Sequence, residues 1–226
     1  VPISHLRKVI AGAMRASRQI SAHVTHVDEA DATALVAAYR EAKTEVEADG
    51  SKFSMLPFFV KALVAVLKEF PQFNASVDEE RGEILLKRYY HIGIAVDTPE
   101  GLIVPVVKDA DRKGVLEIAR EMGALSAKAR EGKLGPADMQ GGCFSVSSLG
   151  GIGGTAFTPI INAPEVAILG VSKSATKPVW NGSEFVPRLL LPLSLSYDHR
   201  VIDGAAAARF TAFLAAVLAD FRRVLL

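Results

Sequence analysis

Cysteine is almost absent from this chain of 226 residues, which holds one, Cys143, beside a single tryptophan, Trp180. One thiol excludes an intrachain disulfide framework and fits a reducing compartment, so the fold must be held by its core. An excess of either charge is lacking too. A net charge of +1 gives no field to gather nucleic acid or an anionic membrane surface, and neither is expected as a partner. Long hydrophobic runs are missing: the apolar stretches are interrupted well short of the roughly 20 residues that span a bilayer. No signal-peptide pattern is expected at the start, where Val1-Pro2-Ile3 leads straight into an amphipathic segment. No internal repeat or low-complexity segment is visible, and there is no Ala/Pro-rich linker. Metal-ligand spacing is also wanting. His23 and His26 lie three apart on a strand-like segment and so face opposite sides, while His5 and His91 have no motif partner; no metal is expected.

What is present is an apolar half, 50% of the residues, without a break in composition. That predicts one domain over residues 1–226 with a substantial core. Leu6, Val9, Ile10, Ala13, Met14 and Ile20 fall at helical spacing behind Ser4, an available N-cap, and Arg7, Lys8, Arg15 and Arg18 give this helix a basic outer face. The bland reading of that face is solvation; the alternative is an arginine reaching an acidic group of a site. His23 to Ala30 reads as a strand, and Asp31 or Thr33 caps a helix to about Ala48, stopped by Asp49-Gly50. Met55 to Phe70 is apolar on nearly all sides and predicts a buried helix.

The middle is rich in strand signals. Asn74–Val77 and Ile84–Lys87 flank a polar turn and predict a hairpin, as do His91–Val96 and Leu102–Val107 around Thr98-Pro99-Glu100-Gly101. A helix is expected from Val115 to Glu131, ended by Gly132. Strands follow at Cys143–Ser148 and Val166–Val171, then a hairpin turn at Asn181-Gly182 and a strand from Leu189 to Ser196. Ala205 to Leu226 reads as a closing helix. The order is not strict βαβ alternation and favours an α/β sandwich with a mixed sheet and packed helices.

Three places invite chemistry. Gly151-Ile152-Gly153-Gly154-Thr155-Ala156 formally satisfies the dinucleotide pattern G-x-G-x-x-A. Pro159 and Pro164 leave no helix start to hold a pyrophosphate, so a tight loop shaping a substrate passage is the better reading. Cys143 lacks an activating elbow or helix start and reads as a buried structural thiol. The third place is Ser194-Leu195-Ser196-Tyr197-Asp198-His199-Arg200-Val201-Ile202-Asp203-Gly204, a tight turn between an apolar strand and the closing helix. A neutral imidazole there can take a proton from a thiol or hydroxyl near neutral pH. Asp203 would fix the local backbone or orient a partner, and Gly204 allows φ values that a side chain forbids.

His-x-x-x-Asp-Gly, here His199 to Gly204, resembles the active-site motif of CoA-dependent acyltransferases related to chloramphenicol acetyltransferase. The longer string Asp198 to Gly204 is similar to the dihydrolipoamide acyltransferases, the E2 components of 2-oxo acid dehydrogenase complexes. Glu100 to Val107, Ala129 to Leu134 and Ile161 to Gly170 resemble the same family, in order, from about Leu6 to the C-terminus. The resemblance implies the two-layer chloramphenicol acetyltransferase-like fold, and a core excised from a longer protein with lipoyl and subunit-binding domains. It implies acyl transfer, acetyl first, between the lipoyl group of dihydrolipoamide and coenzyme A, both as substrates. His199 would be the general base, with Asp203 holding its geometry.

Phe144 to Gly150 is similar to the family segment whose first serine of a pair stabilises the tetrahedral intermediate. That role falls on Ser147, with Ser148 in reserve; alternation puts the two on opposite faces of a strand. Related acyltransferases pair the motif aspartate with an arginine, which the sequence does not place here, and CoA-contacting residues are not legible. The family further implies a homotrimer with sites at subunit interfaces. The trimers build an octahedral or icosahedral cage that scaffolds the E1 and E3 components, in the cytoplasm or, for a eukaryotic chain, the mitochondrial matrix. A small-molecule acetyltransferase and a non-catalytic cage scaffold of the same fold are the alternatives.

Overall fold

The computed structural model describes residues 2–47 and 53–225. Helix α1 (His5–Ile20) leads into strand β1 (His23–Asp31) and helices α2 (Thr33–Val46) and α3 (Leu56–Glu69). Short strands β2 (Ala75–Asp78), β3 (Glu83–Leu86), β4 (Ile92–Ile94), β5 (Val96–Thr98), β6 (Gly101–Ile103) and β7 (Val106–Val107) follow. After α4 (Val115–Arg130) and the one-turn α5 (Pro136–Met139) come β8 (Phe144–Ser148), β9 (Ala167–Val171), β10 (Ala175–Trp180), β11 (Phe185–Asp198) and α6 (Gly204–Ala219).

The main sheet runs β1-β11-β9-β8-β4-β7, with β10 also paired to β11. β8 is parallel to both β9 and β4, and the other pairs are antiparallel, so the sheet is mixed as expected. Helices cover one face. The α3 sequence, apolar all round, buries Phe59, Val60, Leu63, Val64, Val66 and Leu67, because a helix with no polar stripe has no face to give to water. Phe210 of α6 stacks on Phe144 of β8 and on Phe73, which ties the helical layer to the sheet. In β11, Leu191, Leu193, Leu195 and Tyr197 alternate into this core, while Ser194, Ser196 and Asp198 take the other face.

Several expectations change. The hairpin over His91–Val107 splits into two ladders, β4 with β7 and β5 with β6. At the break, Ile94 N–H donates to Pro105 O and Ala95 N–H to Val146 O, so the chain leaves one ladder while still bonded to β8. The Asn181-Gly182 turn is a four-residue loop rather than a two-residue one. Trp180 pairs with Phe185, and the Asn181 side chain accepts from the backbone of Ser183 and Glu184. The strand read as starting at Leu189 begins at Phe185, and α5 was not foreseen. The closing helix ends at Ala219, and a 3₁₀ turn, Phe221–Leu225, follows. The Asp49-Gly50 stop lies outside the described residues.

α1 is capped by Ser4, whose hydroxyl accepts from Arg7 N–H at 3.3 Å. Its apolar face, however, finds little cover in its own chain. Val9 and Ile20 are exposed, and only Ser17 is buried, donating to Ile161 O at 2.6 Å.

Candidate active site

β11 carries the chain to a turn whose backbone is closed on Asp198: Val201 and Ile202 N–H both donate to Asp198 O at 3.0 Å. His199 comes next, exposed, with its own N–H bonded to Ala22 O at 2.9 Å. Its ring makes no hydrogen bond among the described residues and lies 5.9 Å from the buried Tyr197 ring. The turn ends at Asp203, which caps α6 by accepting from Ala206 N–H at 2.7 Å. Asp203 therefore holds the turn through the helix start, with no bond to the imidazole. Gly204 is not among the residues of positive φ, so the left-handed freedom expected of it is unused; it is simply the first residue of α6.

The buried carboxylate of the turn is Asp198, which the sequence reading did not single out. Its side chain is 2% exposed and accepts from Ala22 N–H, Arg200 N–H and the Arg200 guanidinium. Burial alone would raise its pKa, but the Arg200 hydrogen bonds and charge, with the Ala22 N–H, hold it below the usual carboxylate range. Among the described residues no arginine pairs with Asp203, and the α1 arginines make no ion pair; the arginine at work here is Arg200, on Asp198. The Asp203 charge is still felt by Tyr197, whose hydroxyl pKa is raised by burial and then by that charge.

Ser147 stands elsewhere. It lies near the C-terminal end of β8, opposite Gly170 of β9, which in turn is opposite Ser194 of β11. Two strand spacings across and five residues along put it roughly 19 Å from His199 in the same chain. Its hydroxyl is half-buried and makes no hydrogen bond among the described residues. Ser148 faces the helical side, as alternation required, and lines a cavity of about 210 Å³ with Met55, Phe59, Gly150, Gly151 and Ser172. The Ser172 hydroxyl is buried without a partner among the described residues. The loop itself runs from Gly150 to Val166 without a helix, so it presents no helix N-terminus of its own to a pyrophosphate.

A second cavity, about 500 Å³, opens beside the His199 turn. Its wall includes Asp198, Arg200, Glu79 and Glu165. Glu165 is buried. Oε1 accepts from Ser145 Oγ at 2.9 Å and Asn162 Nδ2 at 3.3 Å, while Oε2 has no partner among the described residues. Burial lifts its pKa to about 7, against the pull of those two bonds and of Lys87. Cys143 is buried just before β8, bonded to the His91 backbone, and burial pushes its pKa to about 11, as an inert thiol requires. His23 is engaged on both ring nitrogens: Nε2 accepts from Ile161 N–H, which leaves Nδ1 to donate to Ser21 O.

Comparison with known proteins gives this geometry a setting. The family profile described as 2-oxoacid dehydrogenases acyltransferase (catalytic domain) matches residues 1–226. The chain is 58% identical over 224 residues to the dihydrolipoyllysine-residue acetyltransferase component of pyruvate dehydrogenase complex of Cupriavidus necator, covering 99% of this chain and 40% of that protein. It thus spans well under half the length of that relative. Among solved structures, the Azotobacter vinelandii dihydrolipoamide acetyltransferase superposes with a TM-score of 0.98 at 54% identity, covering 100% of this chain and 93% of that one. That work concerns the catalytic role of a serine, a histidine and an asparagine. The cubic core of the pyruvate dehydrogenase multienzyme complex gives a TM-score of 0.98 at 53% identity, with the same coverage. A chloramphenicol acetyltransferase, at 16% identity and a TM-score of 0.56 over 98% of this chain and 97% of its own, shares the fold alone.

Proposed function

The chain belongs to the 2-oxoacid dehydrogenase acyltransferases as their catalytic domain, and we propose that it moves an acetyl group between dihydrolipoamide and coenzyme A. The observation that carries this reading is an interval. The serine, histidine and asparagine studied in the Azotobacter vinelandii enzyme are spaced as Ser147, His199 and Asp203 are here, with aspartate in place of asparagine.

In this reading His199 takes the proton of the CoA thiol, which has a pKa near that of free cysteine, about 8.5, and is mostly protonated at neutral pH. The thiolate adds to the S-acetyl carbonyl, and the Ser147 hydroxyl donates to the oxyanion. The bond to the dihydrolipoamide sulfur then breaks, and the imidazolium returns its proton to that sulfur. With roughly 19 Å between the two residues in one chain, Ser147 would come from a second copy, so each site would lie at a subunit boundary, as a homotrimer allows. The cavity beside Ser148 and Ser172 would receive the amide-bearing arm of CoA. Trimers would assemble into a cage like the cubic core, with E1 and E3 held through other parts of a longer chain, in a bacterial cytoplasm.

The test is acyl transfer from acetyl-CoA to free dihydrolipoamide by the assembled protein, with propionyl-, isobutyryl- and succinyl-CoA as competitors. His199→Ala should lower the rate at least about a hundredfold with the assembly intact, since it removes a base and no core group. Activity kept within a few-fold would remove His199 from the mechanism.

A further inference from the structure

We infer that Glu79 and Arg200 are positioning residues that tie the β2–β3 hairpin to the turn presenting His199, an inference that rests on the acyl-transfer reading above. The His199 ring is held by no hydrogen bond among the described residues, so its aim depends on the backbone on either side. Ala22 O fixes its N–H from one side. On the other, Arg200 N–H donates to Asp198 Oδ1 at 3.1 Å, and its guanidinium meets both Asp198 oxygens at 2.7 to 3.1 Å. The remaining guanidinium nitrogen, Nη1, crosses to Glu79 Oε1 at 2.6 Å, on a hairpin 121 residues earlier.

That hairpin needs an anchor. β2 packs on the body through the buried Ala75 and through Val77, but every position of β3 is exposed, Ile84, Leu85 and Leu86 included, and so is the tip from Glu79 to Gly82, so packing fixes the base of the hairpin and not its tip. Its base is held where Asn74 Nδ2 donates to Lys87 O and Tyr89 O. Its tip meets the turn through Glu79, across the mouth of the 500 Å³ cavity that both elements line. One arginine thus spans a buried carboxylate and a surface one, and His199 lies in sequence between the two residues of the turn that it joins, Asp198 and Arg200.

The halves of this relay differ in exposure, which makes the idea testable. Asp198 is sealed from solvent at 2%, whereas Glu79 is 62% exposed, and only exposed pairs are strongly screened by salt. The experiment is steady-state acyl transfer by the assembled wild type, Glu79→Gln, Glu79→Asp and His199→Ala, from low salt to about 0.5 M. Glu79→Gln should lower kcat about threefold to fivefold at low salt, the size a pair of this exposure supplies. KM for CoA and the thermal midpoint should stay at wild-type values, and Glu79→Asp should recover part of the loss. Wild-type kcat should fall toward the Glu79→Gln value as salt rises, while the variant stays flat. Equal kcat in both proteins at low salt, parallel salt responses, or a kcat loss that tracks a lowered midpoint would overturn the inference with an inactive His199→Ala leaving the acyl-transfer reading intact. An active His199→Ala would overturn both.

Discussion

Ser147 and His199 stand at opposite ends of the same sheet, one near the end of β8 and the other just past the end of β11, roughly 19 Å apart along the paired register. A hydroxyl that must donate to an oxyanion has to come within about 3 Å of it. One chain therefore cannot serve one carbonyl with both groups, and a closed ring of copies can. Co-assembly of His199→Ala chains with Ser147→Ala chains should restore activity well above either parent. With equal random mixing roughly a quarter of the boundaries carry both native groups. No gain in verified mixed trimers would rule out the shared site.

Ser147→Ala alone should act on turnover rather than on substrate affinity. The oxyanion exists only in the transition state, so the lost donor is felt in kcat, by about a hundredfold, with KM for CoA nearly unchanged. Steady-state kinetics read both values, and a change confined to KM would make Ser147 a binding residue instead.

Much of this architecture was legible because it is written in local periodicity. The all-round apolar α3, the alternation of β8 that sends Ser147 and Ser148 to opposite faces, and the stop of α4 at Gly132 (φ +67°) are properties of a few consecutive residues. What escaped depends on distant partners. Asp198 reads as one more polar residue at a strand end until Ala22 N–H, 176 positions away, and Arg200 are seen around it. Its signal was present in hindsight: it continues the buried Ser194, Ser196 face of β11 with an arginine two residues on. The apolar residues of α1 predicted an inward stripe, yet Val9 and Ile20 stay exposed, since periodicity tells which face is apolar and never which body covers it. The split of the His91–Val107 hairpin came from bonds to β8, far along the chain.

Asp203 offers a clean separation of charge from hydrogen bonding. As N-cap of α6 it contributes one accepted bond, from Ala206 N–H. Asparagine keeps an oxygen there and alanine does not. Asp203→Asn should remain within a few tenths of a kcal/mol of wild type, and Asp203→Ala should lose about 1 kcal/mol. Activity of Asp203→Asn should stay within a few-fold, as the asparagine studied in the Azotobacter vinelandii enzyme suggests. Urea unfolding and kcat on both variants check this, and an unstable or inactive Asp203→Asn would mean that the charge itself matters.

The last prediction concerns Glu165. Its folded-state pKa lies near 7, above the ordinary value of 4.5, chiefly because burial penalises the charge, with Lys87 the nearby cation that partly offsets it. Asp198 and Arg200 share its cavity, and Cys143 lies close by with its thiol held protonated. Between the two pKa values the folded protein keeps a proton that the unfolded chain has released, so stability falls as pH rises. The contribution is complete below pH 4.5 and lost as pH passes through about 7. Glu165→Gln cannot ionise and keeps a carbonyl oxygen for Ser145 and Asn162. Comparing the two by urea unfolding at several pH values cancels the ionisable groups that both proteins share. From pH 5 to 8 the balance should move in favour of Glu165→Gln by on the order of 2 kcal/mol. Parallel stability curves would show that Glu165 is already ionised at pH 5, with a cation or ordered water supplying the partner that Oε2 lacks.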